Sequence, residues 1–341
     1  MTLQTSTLQP ASPGPLDARA VAVMTLLCVL WSLQQISLKA VAGQASPMLL
    51  VALRSLIGVV LLAALMARRA EVPARSRWPA GALAGGLFAL EYLLVTAALN
   101  LTQASHVVVF LYTAPLFAAL GLHWKLPAER LNVVQWSGIG LAFGGITLAF
   151  LGGDVMAGVQ TGSHGGGAGS ASAAQSLLGD ALALLAGAAW GATTITIRCS
   201  NLAQAPATET LLYQLLGAFV LLLPVAVFTG QVHFEHVPVV WAHLAFQALI
   251  VSFASFLAWF WLLRRYLASQ LGVFSFLTPL FGVVLGVWLL GESLTPPFVA
   301  GSALVLGGIA LVSAHGAVGG VVGRLHKRWR DGGGAAQANG R

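Results

Sequence analysis

Ten apolar runs of roughly twenty residues follow one another along the chain. They lie at 20–41, 48–67, 80–99, 103–122, 132–151, 177–198, 207–229, 240–263, 269–290 and 297–315. About twenty such residues make a helix as long as a bilayer's hydrocarbon core is thick. A helix also satisfies its own backbone polar groups, which lipid cannot do for it. The pattern therefore predicts an all-α integral membrane protein with ten transmembrane helices. Composition agrees: only 8% of the 341 residues are charged, against about 25% in a soluble domain. Such a chain has too few charges to cover a water-facing surface of its own size.

The chain also repeats itself. Residues 104–117, ASHVVVFLYTAPLF, and 268–281, ASQLGVFSFLTPLF, agree at seven of fourteen positions with an offset of 164. Each run is broken by a proline, Pro115 or Pro279. Trp31–Lys39 aligns with Trp190–Arg198 at an offset of 159, which also sets Pro47 on Pro206 and Gly58 on Gly217. Later, Glu129-Arg130-Leu131 matches Glu292-Ser293-Leu294, and Gly144-Gly145-Ile146 matches Gly307-Gly308-Ile309, both at 163. Order and spacing persist over five helices, as duplication of a five-helix unit requires. Five is odd, so the second copy enters the membrane upside down. The expected fold is two inverted five-helix repeats, an arrangement characteristic of secondary transporters.

Basic residues set the orientation. With a cytoplasmic N-terminus, Arg19, Arg68, Arg69, Arg75, Arg77, Lys125, Arg130, Arg198, Arg264, Arg265 and the five basic residues of 324–341 all fall inside. Lys39 alone ends a helix outside, and Arg54 lies within a helix. One missed or invented span would scramble the later loops. The expected location is the bacterial cytoplasmic (inner) membrane, multi-pass, with both termini cytoplasmic. Residues 1–17 are polar and the first apolar run is too long for a signal-peptide core, so the first helix is its own insertion signal. The organisation expected is a disordered tail over 1–19, a first repeat over 20–151, a flexible periplasmic Gly/Ser linker over 152–176, a second repeat over 177–315 and a basic tail over 316–341.

In this order the segments LWSLQQISLKAV, SPMLLVALRSLIG, the fourth helix with its proline, ERL and GSALVLGGIALVS resemble the EamA-type transporters of the drug/metabolite transporter superfamily. The resemblance covers about residues 20–315. It implies two five-helix bundles around a central cavity, and export of amino acids, related amphipathic metabolites or toxic compounds.

Several polar and aromatic residues within the spans are candidates for lining that cavity. Arg54 lies seven residues into the second helix from Pro47, about 10 Å deep, and Glu91 lies about 13 Å from the outer end of the third. A charge at such depth faces a cavity or a partner, so the two are expected to pair. Their repeat equivalents are Tyr213 and Ser255, so only the first copy carries charge. Gln34 and Gln35 align with Thr193 and Thr194; such groups either line a pore or join helices. Tyr112, Trp259 and Phe274 add aromatic wall, alongside Trp31 and Trp190. Pro115 and Pro279 each free a backbone carbonyl beside the site. His106 reads as a hydrogen-bonded structural residue near the outer end. Gly81/Gly85, Gly140/Gly144, Gly187/Gly191 and Gly282/Gly286 read as close-packing seams.

Other functions fit less well. There is no HExxH, no nucleotide-binding Gly-rich loop and no hydrolase triad at membrane depth. Cys28 and Cys199 give neither a disulfide nor a metal signal. No cofactor, metal or nucleic acid is expected. The expected partners are a small-molecule substrate and membrane lipids, with proton coupling left open and oligomeric state unspecified. A passive channel, or less readily an integral membrane enzyme, remains the alternative.

Overall fold

The computed structural model describes residues 17–127, 130–160, 168–266, 271, 274–275 and 277–312. Its helices are α1 (Ala18–Ala40), α2 (Pro47–Arg68), α3 (Trp78–Leu101), α4 (Ala104–Leu111), α5 (Ala114–Lys125), α6 (Val133–Gln160), α7 (Ala168–Arg198), α8 (Ala207–Phe228), α9 (Pro238–Ala245), α10 (Phe256–Arg265) and α11 (Leu277–Leu290), followed by α12 (Pro296–Val312). A π-helical segment, Phe246–Ser255, joins α9 to α10. Seven helices or helix pairs are long and apolar enough to cross a bilayer; three apolar ones, Val133–Ala149, Leu277–Leu290 and Pro296–Val312, are shorter. Among the described residues there is no sheet, only an antiparallel bridge between Ala45 and Phe234.

Local chemistry sets the helix ends. Asp17 caps α1, accepting from the Ala20 N–H at 2.7 Å; that bond and the Tyr266 hydroxyl hold its carboxyl below the usual carboxylate range. Pro47, Pro79, Pro115 and Pro238 all sit in first turns, where a missing N–H costs nothing. The fourth apolar run is interrupted as its proline suggests. Helix α4 stops at Leu111, Tyr112 and Thr113 turn, and Pro115 falls in the first turn of α5.

Two boundaries need correction. The tail expected over 1–19 gives way to helix at Ala18. The linker expected over 152–176 is helical up to Gln160 and again from Ala168. Ala168, Ala171, Ala173 and Ala174 supply helix propensity that the Gly/Ser content had masked. Residues 161–167 and the basic tail from 316 onward lie outside the described residues.

Contacts sort the helix ends onto two faces. On one, the 41–46 loop meets the 230–237 loop, with Ser46 N–H on the His233 carbonyl at 2.9 Å and Glu235 N–H on the Gln44 carbonyl at 2.8 Å. On the other, the 69–77 loop meets the start of α8 through Arg77 and Glu209, 2.8 Å apart. Arg19 and Arg265 lie over the Trp261 ring, 5.0 and 4.5 Å from its centroid, so this tryptophan carries two guanidinium groups.

Glycines mark where backbones touch. A Cβ on Gly138 would meet the Gly308 carbonyl at 2.8 Å, and one on Gly145 the Gly301 carbonyl at 2.5 Å. As α6 advances from 138 to 145, its partner on α12 falls from 308 to 301, so the two helices are antiparallel. Gly138 and Gly301 are repeat equivalents at the offset of 163, as are Gly145 and Gly308. Exchanging equivalents turns one contact into the other, so the crossing is two-fold symmetric. Likewise Gly282 meets Val108 and Gly286 meets Ser105, which makes α11 antiparallel to α4. By contrast α3 and α8 run parallel, with Gly81 against the Tyr213 ring and Gly85 against Gly217. The expected seams at Gly81/Gly85, Gly187/Gly191 and Gly282/Gly286 are thus close contacts. Gly140/Gly144 is not: a Cβ there meets nothing within 4 Å among the described residues. The seam of that helix is Gly138/Gly145, seven residues apart on the opposite face.

Candidate functional site

A buried polar cluster occupies the middle of the bundle. Arg54 of α2, 2% exposed, donates through Nη1 to Oε1 of Gln247, which is fully buried, at 2.5 Å. Gln247 Nε2 in turn donates to the Gln34 carbonyl of α1 at 2.7 Å. Gln34 Nε2 donates to the Tyr92 hydroxyl of α3 at 2.6 Å, and the Arg54 guanidinium lies 4.5 Å from the Tyr92 ring centroid. The circuit Arg54–Gln247–Gln34–Tyr92 therefore draws on α1, α2, α3 and the π segment. A π turn inserts one extra residue and is frequent at functional sites; here it holds Gln247 within the cluster.

The expected pair between Arg54 and Glu91 does not form. No ion pair joins them within 4 Å, and Arg54 takes the neutral Gln247 and the Tyr92 face instead. Glu91 is 4% exposed, and its Oε2 has no hydrogen-bond partner. Arg54 Nε and Gln35 Oε1 are likewise buried and unpartnered. Adjacent residues on a helix point about 100° apart. Tyr92 is aimed at Gln34 and Arg54, while Glu91 stays within electrostatic reach of Arg54 without a direct contact. Buried polar atoms are almost always satisfied, so these orphans mark groups that a polar ligand could engage.

A second shelf continues the cluster toward the 69–77 face. Trp31 Nε1 donates to Ser255 Oγ at 3.1 Å, and Ser255 donates to the Val251 carbonyl at 2.6 Å. Trp31 and Trp259 pack edge to face, 5.6 Å between centroids. Ser32 Oγ donates to the Thr278 carbonyl at 2.6 Å, and Cys28 Sγ to the Phe274 carbonyl at 3.3 Å. These bonds fasten α1 to Phe274 and to the first turn of α11, which contains Pro279. Tyr112, at the break in the matching helix, packs edge-on against Trp190 at 5.2 Å.

Of the expected site residues, Gln34, Arg54, Ser255, Trp259 and Phe274 are thus linked around α1, with Glu91 and Gln35 buried nearby. Thr193 and Thr194 bond their own helix, at the Ala189 and Trp190 carbonyls. Tyr213 stands apart, bonding Glu209 at 3.1 Å beside the 69–77 loop. Sequence reasoning missed Gln247 and Tyr92. The signal for Gln247 was available: it is the lone amide in the run 240–263. Tyr92 was overshadowed by its charged neighbour.

Both faces are fastened by polar contacts. At the 41–46 face, Lys39 Nζ donates to the Leu99 carbonyl and, at 2.8 Å, to that of Thr102. Thr102 Oγ1 donates to Asp180 at 2.6 Å, and His106 Nδ1 lies 2.9 Å from the same carboxylate, the structural role expected of that histidine. Glu292 receives the N–H groups of Ala104 and Ser105 at 2.6 and 3.0 Å, capping α4 from another loop. At the 69–77 face, Glu209 receives Arg77, the Ala74 N–H and Tyr213, while Thr208 donates to Glu71 at 2.5 Å.

One family model, the EamA-like transporter family, matches the chain twice, over residues 18–151 and 177–314. The chain belongs to the EamA-like transporter family. Its two EamA-like units are the two copies whose equivalent glycines meet at the α6/α12 crossing. The chain is 30% identical to the uncharacterized protein PA1977 of Pseudomonas aeruginosa, over 77% of this chain and 83% of that one. It is 23% identical to the uncharacterized transporter YoaV of Bacillus subtilis, over 82% and 92%. A protein of known crystal structure shares the fold at a TM-score of 0.56 and 22% identity, over 86% of this chain and 96% of that one. Family and fold make this EamA-like protein a multi-pass membrane transporter.

Proposed function

We propose that the protein is a secondary carrier that exports small metabolites, of amino-acid or related amphipathic character, across the bacterial cytoplasmic membrane by alternating access at the Arg54 cluster. The observation that carries the reading is the Arg54–Gln247 bond. It joins a buried charge of the first copy to an amide of the second, between the two polar fastenings and nearer the 41–46 face. A site shared by both copies is one whose exposure changes when they rock against each other.

The glycine crossings support inversion of the copies. Helices α6 and α12 are equivalents yet antiparallel, and α4, which leads into Pro115, runs antiparallel to α11, which bears Pro279. The full reading is ten spans in two inverted sets of five. The basic residues support a cytoplasmic 69–77 face, since Arg19, Arg68, Arg69, Arg75, Arg77, Arg198 and Arg265 gather there and Lys39 stands alone opposite. Arg54 Nε offers a donor to an anionic or carbonyl group of the substrate. Glu91 Oε2 offers an acceptor to an amine, or a place for a proton. Because Tyr213 and Ser255 stand at the equivalent positions, the charges belong to one copy, and the binding site is asymmetric inside a symmetric scaffold.

The test is flux from vesicles holding the purified protein and a panel of metabolites. Saturable efflux, accelerated by the same compound on the far side and lost in Arg54→Ala, is expected. Unsaturable conductance, or normal flux in both Arg54→Ala and Glu91→Gln, contradicts the proposal.

A further inference from the structure

One turn from the central amides, toward the 41–46 face, α1 is joined again, this time to α9, which runs into the π segment. Gln247 bonds Gln34, and four residues before Gln247, His243 Nδ1 lies 2.8 Å from Ser37 Oγ, three residues after Gln34. The two rungs are about 5 Å apart along α1. Around the second rung is an open crevice of about 350 Å³ between α1, α9 and α11, walled by Leu33, Ile36, Phe246, Leu289 and Leu290. That volume is at the small end of ligand pockets, roughly 300–1,000 Å³.

We infer that this crevice is a second binding station for small neutral amphipathic molecules, with an apolar body and a single hydroxyl or N–H head group. It rests on the carrier reading only for its place beside the transport site. The chemistry of the walls chooses the ligand. No lining residue is formally charged, and Lys39, next to the crevice in sequence, is committed to the Leu99 and Thr102 carbonyls. A charged head would be desolvated there without compensation. A neutral head meets the Ser37–His243 pair. With Nδ1 engaged by Ser37, the ring's other nitrogen can donate or accept, and no described side chain bonds it. The body then lies on Leu33, Ile36 and Phe246. Phe246 and Gln247 are consecutive, so one turn of the π segment presents an apolar wall to this station and an amide to the central one.

The probe is 3-azioctanol, a photoreactive eight-carbon alcohol, applied to the full chain in phosphatidylcholine nanodiscs and read by peptide mass spectrometry. Saturable labelling of peptides containing 33–40 and 242–246 is expected, displaced by excess 1-octanol. Ala242→Trp, at an exposed position of the crevice, should lower it at least tenfold, and His243→Phe about threefold or more. Arg54→Ala should leave it intact while abolishing flux, so the failure of this inference and that of the carrier reading are separately visible. Labelling that never saturates, that spreads evenly over the lipid-facing helices, or that survives Ala242→Trp would overturn the inference.

Discussion

Replacing Gln247 by leucine should be more damaging than its neutral side chain suggests. Leucine keeps the volume but removes the acceptor for Arg54 Nη1 and the donor to the Gln34 carbonyl. Hydrogen bonds between neutral groups in membrane proteins contribute about 0.6 kcal/mol on average and about 1.7 at most. A charged partner roughly doubles this, giving about 1.5–3 kcal/mol for the Arg54 bond, the range also found for charged hydrogen bonds in general. The Gln34 carbonyl adds about 0.5 kcal/mol more. Gln247→Leu should therefore destabilise the protein by about 2–3.5 kcal/mol. The stranded cation should account for most of it, since Arg54 keeps only the Tyr92 face. A double-mutant cycle isolates that part. In the Arg54→Met background, Gln247→Leu should cost only about 0.5 kcal/mol, the share of the Gln34 carbonyl, leaving a coupling of about 1.5 kcal/mol or more. Unfolding in detergent–denaturant mixtures reads both. Additive changes within about 0.5 kcal/mol would mean that Arg54 does not depend on Gln247, and the proposed link between the copies would fall.

Three further outcomes follow from particular contacts. Gly145→Val should sharply reduce the folded yield, because its Cβ would lie 2.5 Å from the rigid Gly301 carbonyl. Gly144→Ala, with open space around it, should be neutral or slightly stabilising; size-exclusion profiles of the two variants separate them. Glu209→Gln weakens the partly exposed Arg77 contact by about 0.5–1 kcal/mol and should raise thiol labelling of a cysteine placed at Ser76, with little change in melting temperature. Glu292→Gln removes a carboxylate from the α4 N-terminus and should cost about 0.5–2 kcal/mol in thermal unfolding, whereas Glu235→Gln, on an exposed loop, should cost nothing measurable.

The repeat and the helical membrane class were legible in the sequence because they rest on period and composition. Hydrophobic length names a span, and a repeated proline names a break wherever the partner helices lie. The site was legible only in part. Arg54 and Glu91 are conspicuous as deep charges, but depth fixes distance along a helix and leaves azimuth open. They therefore looked paired, although no ion pair within 4 Å joins them and Arg54 bonds Gln247 instead. The amide that answers Arg54 comes from a helix 193 residues away, through a π turn that no local pattern announces. Glycines behaved the same way: Gly140/Gly144 has the better-known spacing, and Gly138/Gly145 makes the contact. Spacing nominates a face, and only packing chooses it.

The account stands on two copies of one unit threaded in opposite senses, and sidedness tests that most directly. Single cysteines at Ser76 and Ser163, in a chain with Cys28 and Cys199 replaced by serine, can be treated with a membrane-impermeant thiol reagent in intact cells. Labelling at 163 before permeabilisation, and at 76 only after it, is the result the account predicts. Labelling of both positions from one side would contradict it.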